Sequence, residues 1–591
     1  MDSLANSNPA SFTSEQKEYL LGFFAGAMQP GPRPFVGLDA SGQITSEPQS
    51  GATNLAEPAV HGTAVSDLSR EELWKYERNP LDVWERLVAH ADANQAPAPD
   101  DLFRFKFHGL FYVAPAQDSF MVRLRIPGGI LNAHQMHGLA NMTEELGSGR
   151  ADITTRANLQ IRELQPKDIV RVLCTLQTLG LTSRGAGADN IRNITASPVT
   201  GLDPTELYDV APLANALHHY ILNTPAMYDL PRKFNVAFDS GGAISVLADT
   251  NDIGFVAVRV GEGQEVAPGV YFRVLLSGIT GHKQFASDCG ILLSPEQTVA
   301  VAAALIRVFS ENGDRTDRKK ARLKYLIDRW GVDKFVAETE KRLAFPLIRF
   351  AADACEPRQP IDRAAHIGFH PQRQPDLNYV GVSVPVGQIP AAKMRAVAEI
   401  ADQFGTGELR LTVWQNLLIP NIATAHIPAV IEKLDTAGLD CTAGTVMRGT
   451  VACTGNRGCR YAATDTKAHA KELATLLDSQ FTIDQPVNLH VTGCPHSCAQ
   501  HYIGDIGLLG AKVSGEEGYQ VVIGGGSDRN QGLARELIPA ISYAELPPIL
   551  ERLFATYIEA RNPDESFLDF SRRHSISDLQ SFLAQKELAS R

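Results

Sequence analysis

The chain has 591 residues, 44% of them apolar and 21% charged, with a formal net charge of −12. That length is too great for one ordinary core and predicts roughly three to five domains of plain globular composition. The acidic balance argues against general nucleic-acid binding. Residues 1–19 lack the basic start and apolar run of an export signal, and the longest apolar stretch, near 298–306, falls well short of the ~18 residues a bilayer span needs. The expectation is a cytoplasmic protein with no membrane segment.

In chain order, residues 13–27 predict a short amphipathic helix, capped by Thr13 with Gln16 closing a capping box. From 28 to about 66 the chain is rich in Gly, Pro, Ala and Ser without a period, which reads as a linker or extended arm. Folded patterning resumes near Glu71. Residues 122–161 and 380–419 then align without a gap, and twelve of the forty positions are identical, among them Pro127, Gly129, Ala133, Gly147, Thr154 and Asn158 with their partners 258 positions on. Each copy reads as strand, Pro/Gly turn, helix, glycine stop and further strands. A weaker echo follows each copy: LPRKFNVAF (230–238) leads to DIGF (252–255), and QPVNLHVTG (485–493) leads to DIGL (505–508). The chain therefore predicts two related halves, each with a small α/β module and a larger α+β module, and a cleft between them suited to a cofactor. The polar tail from about Asp564 predicts a helix near 577–587.

The halves differ chemically. Arg123 and Arg156 in the first copy stand where Gly381 and Trp414 stand in the second, and Lys233 belongs to the first half while the second carries cysteines. Of eight cysteines, Cys453 and Cys459 form C-x5-C, and Cys494 and Cys498 form C-x3-C. Four thiolates suit a soft metal centre, either an iron–sulfur cluster or zinc. The x5 spacing suits zinc knuckles poorly, though structural thiols remain a third reading. Gly455, Gly458 and Gly493 would permit tight turns that aim backbone N–H groups at sulfur.

C-x5-C followed by C-x3-C in a TGCP context resembles the siroheme-dependent nitrite and sulfite reductases. The resemblance runs from about Phe105 to Phe554 and includes FMVRLRIPGG (120–129), DITTRANLQIR (152–162), DNIRN (189–193), LPRKFN (230–235), DRTDRKKAR (314–322) and GELRLTVWQN (407–416). It implies an α+β, internally duplicated, pseudo-twofold architecture with cofactors in the cleft. The implied divisions are 1–66 (N-terminal helix and arm), 67–170 (first ferredoxin-like half-domain), 171–345 (first siroheme/cluster module), 346–440 (second half-domain), 441–563 (cysteine-bearing module) and 564–591 (tail). It also implies a [4Fe–4S] cluster on Cys453, Cys459, Cys494 and Cys498, and a siroheme whose proximal ligand is Cys498. The distal pocket would be Arg123, Arg192, Lys233 and Asn235, with Arg156 and Arg322 anchoring siroheme carboxylates. His496 departs from the family, which commonly has Asn between the paired cysteines.

Sulfite reductases of this family usually carry Lys-x-Lys where this chain has Lys233-Phe234-Asn235, and nitrite reductases show Lys-x-Asn. One fewer positive charge favours nitrite over the more highly charged sulfite. The segment GAGADNIRN (185–193) also looks more like nitrite reductase. The implied function is six-electron reduction of nitrite to ammonium, with sulfite reduction as the alternative. A non-catalytic iron–sulfur electron-transfer protein and a corrin-pathway relative are more remote readings. Neither GGAIS (241–245) nor IGGGS (523–527) makes a nucleotide-binding motif. Electrons would therefore come from a separate donor, ferredoxin in this family, which implies a basic docking patch on a monomeric enzyme.

Overall fold

The computed structural model describes residues 58–589; the helix expected at 13–27 lies outside them. Within the stretch expected as linker, Ala59–Val60 and Thr63–Ala64 pair as a small hairpin. The repeat is visible residue by residue. Helix Ala133–Leu146 recurs as Ala391–Phe404, and helix Ile169–Thr178 as Ile427–Thr436, each 258 positions on. Both long helices end on the glycines of the pattern, Gly147 and Gly405. Their starts have diverged: Asn132 and Gln135 form a capping box, while Pro390 holds the equivalent place without a side-chain cap.

Two five-stranded antiparallel sheets carry these helices, and they exchange an edge. In the first, Leu110–Val113, Ser119–Arg123, Asn158–Leu164 and Arg150–Thr154 are completed by Gln388–Pro390 from the second copy. In the second, Gly368–Pro371, Leu377–Val382, Leu417–Ala423 and Glu408–Leu411 are completed by Ile130–Asn132 from the first. The exchange covers an edge of each sheet that would otherwise be open, and one continuous apolar core joins the two half-domains. The turn before each donated strand is tight. Gly387 has φ +73°, and a Cβ there would stand 2.3 Å from the Ile153 carbonyl oxygen. Left-handed backbone alone costs a side chain about 1–3 kcal/mol. Gly387→Ala is therefore expected to lower stability by roughly 3 kcal/mol in denaturant unfolding, and an unchanged midpoint would contradict the exchanged-strand packing.

Each larger module has its own core around a mixed sheet. In the first, Thr195–Ala196, Val236–Asp239 and Ile253–Val260 run parallel, then Gly269–Leu276, Ser287–Leu293 and Ile348–Arg349 alternate antiparallel. In the second, Thr450–Ala452, Leu489–Thr492 and Ile506–Val513 are parallel, followed by antiparallel Glu516–Ile523 and Arg535–Ser542. The echo in the sequence has a structural counterpart: Val236–Asp239 and Ile253–Val260 recur 253 positions on as Leu489–Thr492 and Ile506–Val513. In both modules the aspartate of the DIG motif accepts the backbone N–H of the residue that enters the preceding parallel strand: Asp252 from Asn235 and Asp505 from Asn488, each at 2.8 Å. The architecture is α+β and internally duplicated. The tail forms helices Phe567–Arg573 and Ile576–Ala589.

Candidate active site

A cavity of about 500 Å³ opens where the two halves meet, and opposite strand ends supply its two sides. The thiols come from loops at the carboxyl ends of adjacent parallel strands in the second module. Cys453 follows Thr450–Ala452, while Cys494 and Cys498 follow Leu489–Thr492. Loops at the carboxyl ends of parallel strands are a general place for ligands. The cations come from segments entering the parallel strands of the first module: Arg192 shortly before Thr195–Ala196, and Lys233 just before Val236–Asp239. Arg192 and Phe234 are tied by a backbone hydrogen bond of 2.8 Å. Extended backbone at 233–235 sends Lys233 and Asn235 to the same side.

Cys453 and Cys498 line the cavity, whereas the buried Cys494 and the half-buried Cys459 do not. Gly493 N–H donates to the Cys453 sulfur at 3.2 Å, and what requires glycine there is close approach, since a Cβ would stand 2.6 Å from the Ala462 Cβ. The Thr466 hydroxyl stands 3.5 Å from the same sulfur and donates to the Cys453 carbonyl at 2.7 Å. Burial, together with the neighbouring thiols of Cys498, Cys459 and Cys453, pushes the Cys494 thiol up to about 11. Cys498 is exposed because its sulfur faces the cavity, yet burial among the surrounding protein raises its thiol too, against the pull of Lys233 and Arg123. The four thiols thus feel one another, although among the described residues no three His, Cys, Asp or Glu gather tightly enough for a single metal ion. His496 Nδ1 lies 3.5 Å from the Cys494 sulfur, with its ring edge-on to Tyr461 at 5.2 Å.

On the cation side, Arg123 closes strand Ser119–Arg123 and stacks over Phe111, 4.6 Å from the ring centroid. Arg192 donates to the carbonyls of Ala186 and Ala188 at 2.8 Å each. Neither forms an ion pair among the described residues, and Lys233 has no protein partner there. Burial brings the Arg123 guanidinium down to about 10, with the Cys498 thiol opposing. Burial and then Arg123 push Arg192 well down. Burial, aided by Arg322, brings the Lys233 ammonium down to about 7. Unpaired cations converging on one cavity favour an anionic occupant, which would restore their charge.

Of the ten site residues expected from the sequence, eight line the cavity, namely Arg123, Arg156, Arg192, Lys233, Asn235, Arg322, Cys453 and Cys498, and two, Cys459 and Cys494, do not. Arg156 and Arg322, however, are already held by the protein. Arg156 donates to Asn193 O at 2.7 Å, Val236 O at 3.1 Å and Asn251 Oδ1 at 2.8 Å. Arg322 forms a fork with Asp252, at 2.7 and 3.3 Å. Both keep N–H groups beyond those bonds, but their guanidiniums are fixed before any ligand arrives. Removing a buried ion-pair partner costs about 3–5 kcal/mol. Asp252→Ala should destabilise the protein by that amount, because it strands Arg322 and leaves the Asn235 N–H without its acceptor; a loss under about 1 kcal/mol in denaturant unfolding would refute the pairing. Asp152, Arg162, Thr466, Lys467 and Gln415 also lie around Cys453, and no motif in the sequence marks them. Asp152 and Arg162 fall inside the quoted DITTRANLQIR segment and pair with each other, but the partners that tie them to the cysteine side, Lys467 and Thr454, lie about 300 positions away.

Residues 187–347 and 443–570 match the family described as nitrite and sulphite reductase 4Fe-4S domain, and residues 113–179 and 370–437 match the nitrite/sulfite reductase ferredoxin-like half domain. The chain belongs to the nitrite and sulfite reductase family. Ferredoxin–nitrite reductase of Synechococcus elongatus is 34% identical over 509 residues, covering 84% of this chain and 98% of that protein. Ferredoxin–nitrite reductase of Leptolyngbya laminosa is 36% identical over 520 residues, covering 84% and 98%. The solved structure of Mycobacterium tuberculosis NirA protein superposes with a TM-score of 0.78 at 28% identity, over 87% of this chain and 97% of that one. The iron–sulfur domain of this nitrite and sulfite reductase is thus present in both of its segments, and the cysteines lie in the second.

Proposed function

We propose that the protein is an assimilatory ferredoxin-dependent nitrite reductase that reduces nitrite to ammonium with six electrons. The observation that carries this reading is the pairing across one cavity: Arg123, Arg192, Lys233 and Asn235 face Cys453 and Cys498. A tetrapyrrole with many carboxylates, sitting on a thiolate set, suits a lining with unpaired cations on one side and sulfur on the other. Siroheme, when bound, would supply an iron at which the anion is reduced, and a [4Fe–4S] cluster held by Cys453, Cys459, Cys494 and Cys498 would supply electrons singly. Cys498 would serve both groups, and Arg156 and Arg322 would meet carboxylates at the rim with their remaining N–H groups.

The chain's own residues then have distinct tasks. Arg123 and Arg192 attract and orient a small oxyanion, because each is half-buried at the cavity wall and forms no ion pair among the described residues. Lys233, whose ammonium is brought down to about 7, can hold or release a proton at Nζ near neutral pH. Each N–O bond that breaks consumes protons as its oxygen leaves as water, so a donor of this kind is required. Asn235 offers a neutral amide where a lysine would add a charge, and this selects nitrite over sulfite. Reduced ferredoxin, the donor named for the relatives, would deliver electrons to a monomeric enzyme in the cytoplasm, in keeping with the acidic composition.

The substrate assignment is tested by comparing wild type with Asn235→Lys in turnover of nitrite and sulfite by cofactor-replete enzyme. The ratio of sulfite to nitrite kcat/KM should rise by roughly tenfold or more in the variant, as about 1.4 kcal/mol from one added charge would give. An unchanged ratio would remove Asn235 as the discriminator.

A further inference from the structure

We infer that Asp152, Arg162 and Lys467 form a buried charge bridge, a set of positioning residues that raises the reduction potential of the cluster on the neighbouring cysteines. This rests on the cofactor reading above and goes beyond it by assigning a role to groups that bind neither substrate nor metal. Asp152, on strand Arg150–Thr154, accepts from Arg162 Nε at 2.8 Å and from Lys467 Nζ at 2.9 Å. Arg162 reaches into the first cysteine loop, donating to Thr454 Oγ1 at 2.9 Å and to Gly458 O at 3.3 Å, beside Cys453 and Cys459. Lys467 donates as well to Val386 O at 2.7 Å, and the neighbouring Thr466 hydroxyl stands by the Cys453 sulfur. The bridge therefore pins together the first half-domain, the turn of the second, and the loop that carries two of the four thiols.

All three side chains are buried, and two cations share one carboxylate. A buried surplus charge is costly unless opposite charge lies beside it. A cluster held by four thiolates is that opposite charge, and an added electron makes it more negative. The surplus cation thus favours the reduced form, [4Fe–4S]²⁺ plus one electron giving [4Fe–4S]⁺, and net charge and hydrogen bonding around the sulfurs are the protein's means of tuning such a couple. The duplication provides an internal comparison. At 258 positions beyond Asp152 stands Arg410, which donates to the carbonyls of Pro198 and Thr200 and pairs with Glu408. Pro420 stands where Arg162 would be. On the side without cysteines the fold thus grips the facing loop with a guanidinium on carbonyls, so the carboxylate with two cations is a feature of the cysteine side and not a requirement of the scaffold.

The test is a redox titration of the cluster in cofactor-replete protein, followed by electron paramagnetic resonance of the reduced state. Lys467→Met should lower the one-electron reduction equilibrium by about tenfold or more, which is about 59 mV for a one-electron couple. Asp152→Asn should move it by a similar factor in the opposite direction, and Lys467→Arg should hold it near wild type. Opposite signs are the signature of charge; general loosening of the loop would move both variants the same way. Unmoved potentials, or shifts of the same sign, overturn the inference. If Lys467→Met purifies without its cluster, Asp152→Asn and Lys467→Arg decide: a raised potential with parity in the second supports the bridge, and any other pair of results overturns it. A wild-type protein with no cluster signal would remove the cofactor reading and this inference with it, whereas a normal wild-type cluster with insensitive variants removes the inference alone.

Discussion

Replacing Cys498 by serine is expected to reduce nitrite turnover to below about a hundredth of wild type and to alter the optical spectrum and the cluster signal together. Losing a group that merely hydrogen-bonds to a metal ligand already costs about 10–100-fold, and Cys498 would be a ligand itself. It is the one residue of the four whose sulfur is both exposed to the cavity and in the electrostatic company of Lys233 and Arg123. Cys494, by contrast, is buried and does not line the cavity. Cys494→Ser should therefore disturb the cluster signal first and reach the tetrapyrrole only through it. Equal and independent loss of both signals in the two variants would argue against one sulfur serving both groups. Iron analysis and absorption spectra of the purified variants make the comparison.

Lys233→Met is expected to lower kcat for nitrite by roughly 10²–10³-fold, the usual scale for removing one preorganised donor from a charge-stabilising site, while leaving the cofactors in place. The reason is position: Lys233 sits at the entry to Val236–Asp239, faces the thiols across the cavity, and has no protein partner among the described residues to share its charge. Lys233→Arg separates the two duties of the side chain. A guanidinium keeps the charge but does not release a proton near neutral pH, so this variant should retain KM within a few-fold while kcat stays low. Recovery of full kcat in Lys233→Arg would show that charge alone is required.

The duplication was legible in the sequence because it is written in residues with few substitutes. Pro127, Gly129 and Gly147 and their partners 258 positions on mark the turn and the helix end, and the helices Ala133–Leu146 and Ala391–Phe404 follow between them. The echo around the DIG motifs was legible for the same reason: an aspartate there must accept a strand-entering N–H. The strand exchange was not legible. Ile130–Asn132 is three residues long, and its partner strand lies some 280 positions away, so neither periodicity nor propensity indicates which sheet receives it. The site followed the same division. The cysteines and the unpaired cations are singled out by residue type in the quoted motifs. The bonds that tie Arg156 to Asn251, Arg322 to Asp252 and Lys467 to Asp152 join segments remote in sequence, and polar groups of that kind carry no local signal until the fold brings them together.

In the proposed function, one cavity couples iron–sulfur electron delivery to nitrite reduction. The most direct test is steady-state turnover of wild-type enzyme loaded with siroheme, with reduced ferredoxin as donor, measuring nitrite consumed and ammonium formed alongside the same assay with sulfite. Nitrite converted to ammonium in equal amount, at a kcat/KM well above that for sulfite, is the predicted result. Preference for sulfite would overturn the substrate assignment and the role given to Asn235, and absence of turnover with either anion in a fully loaded protein would contradict the coupling at this cavity.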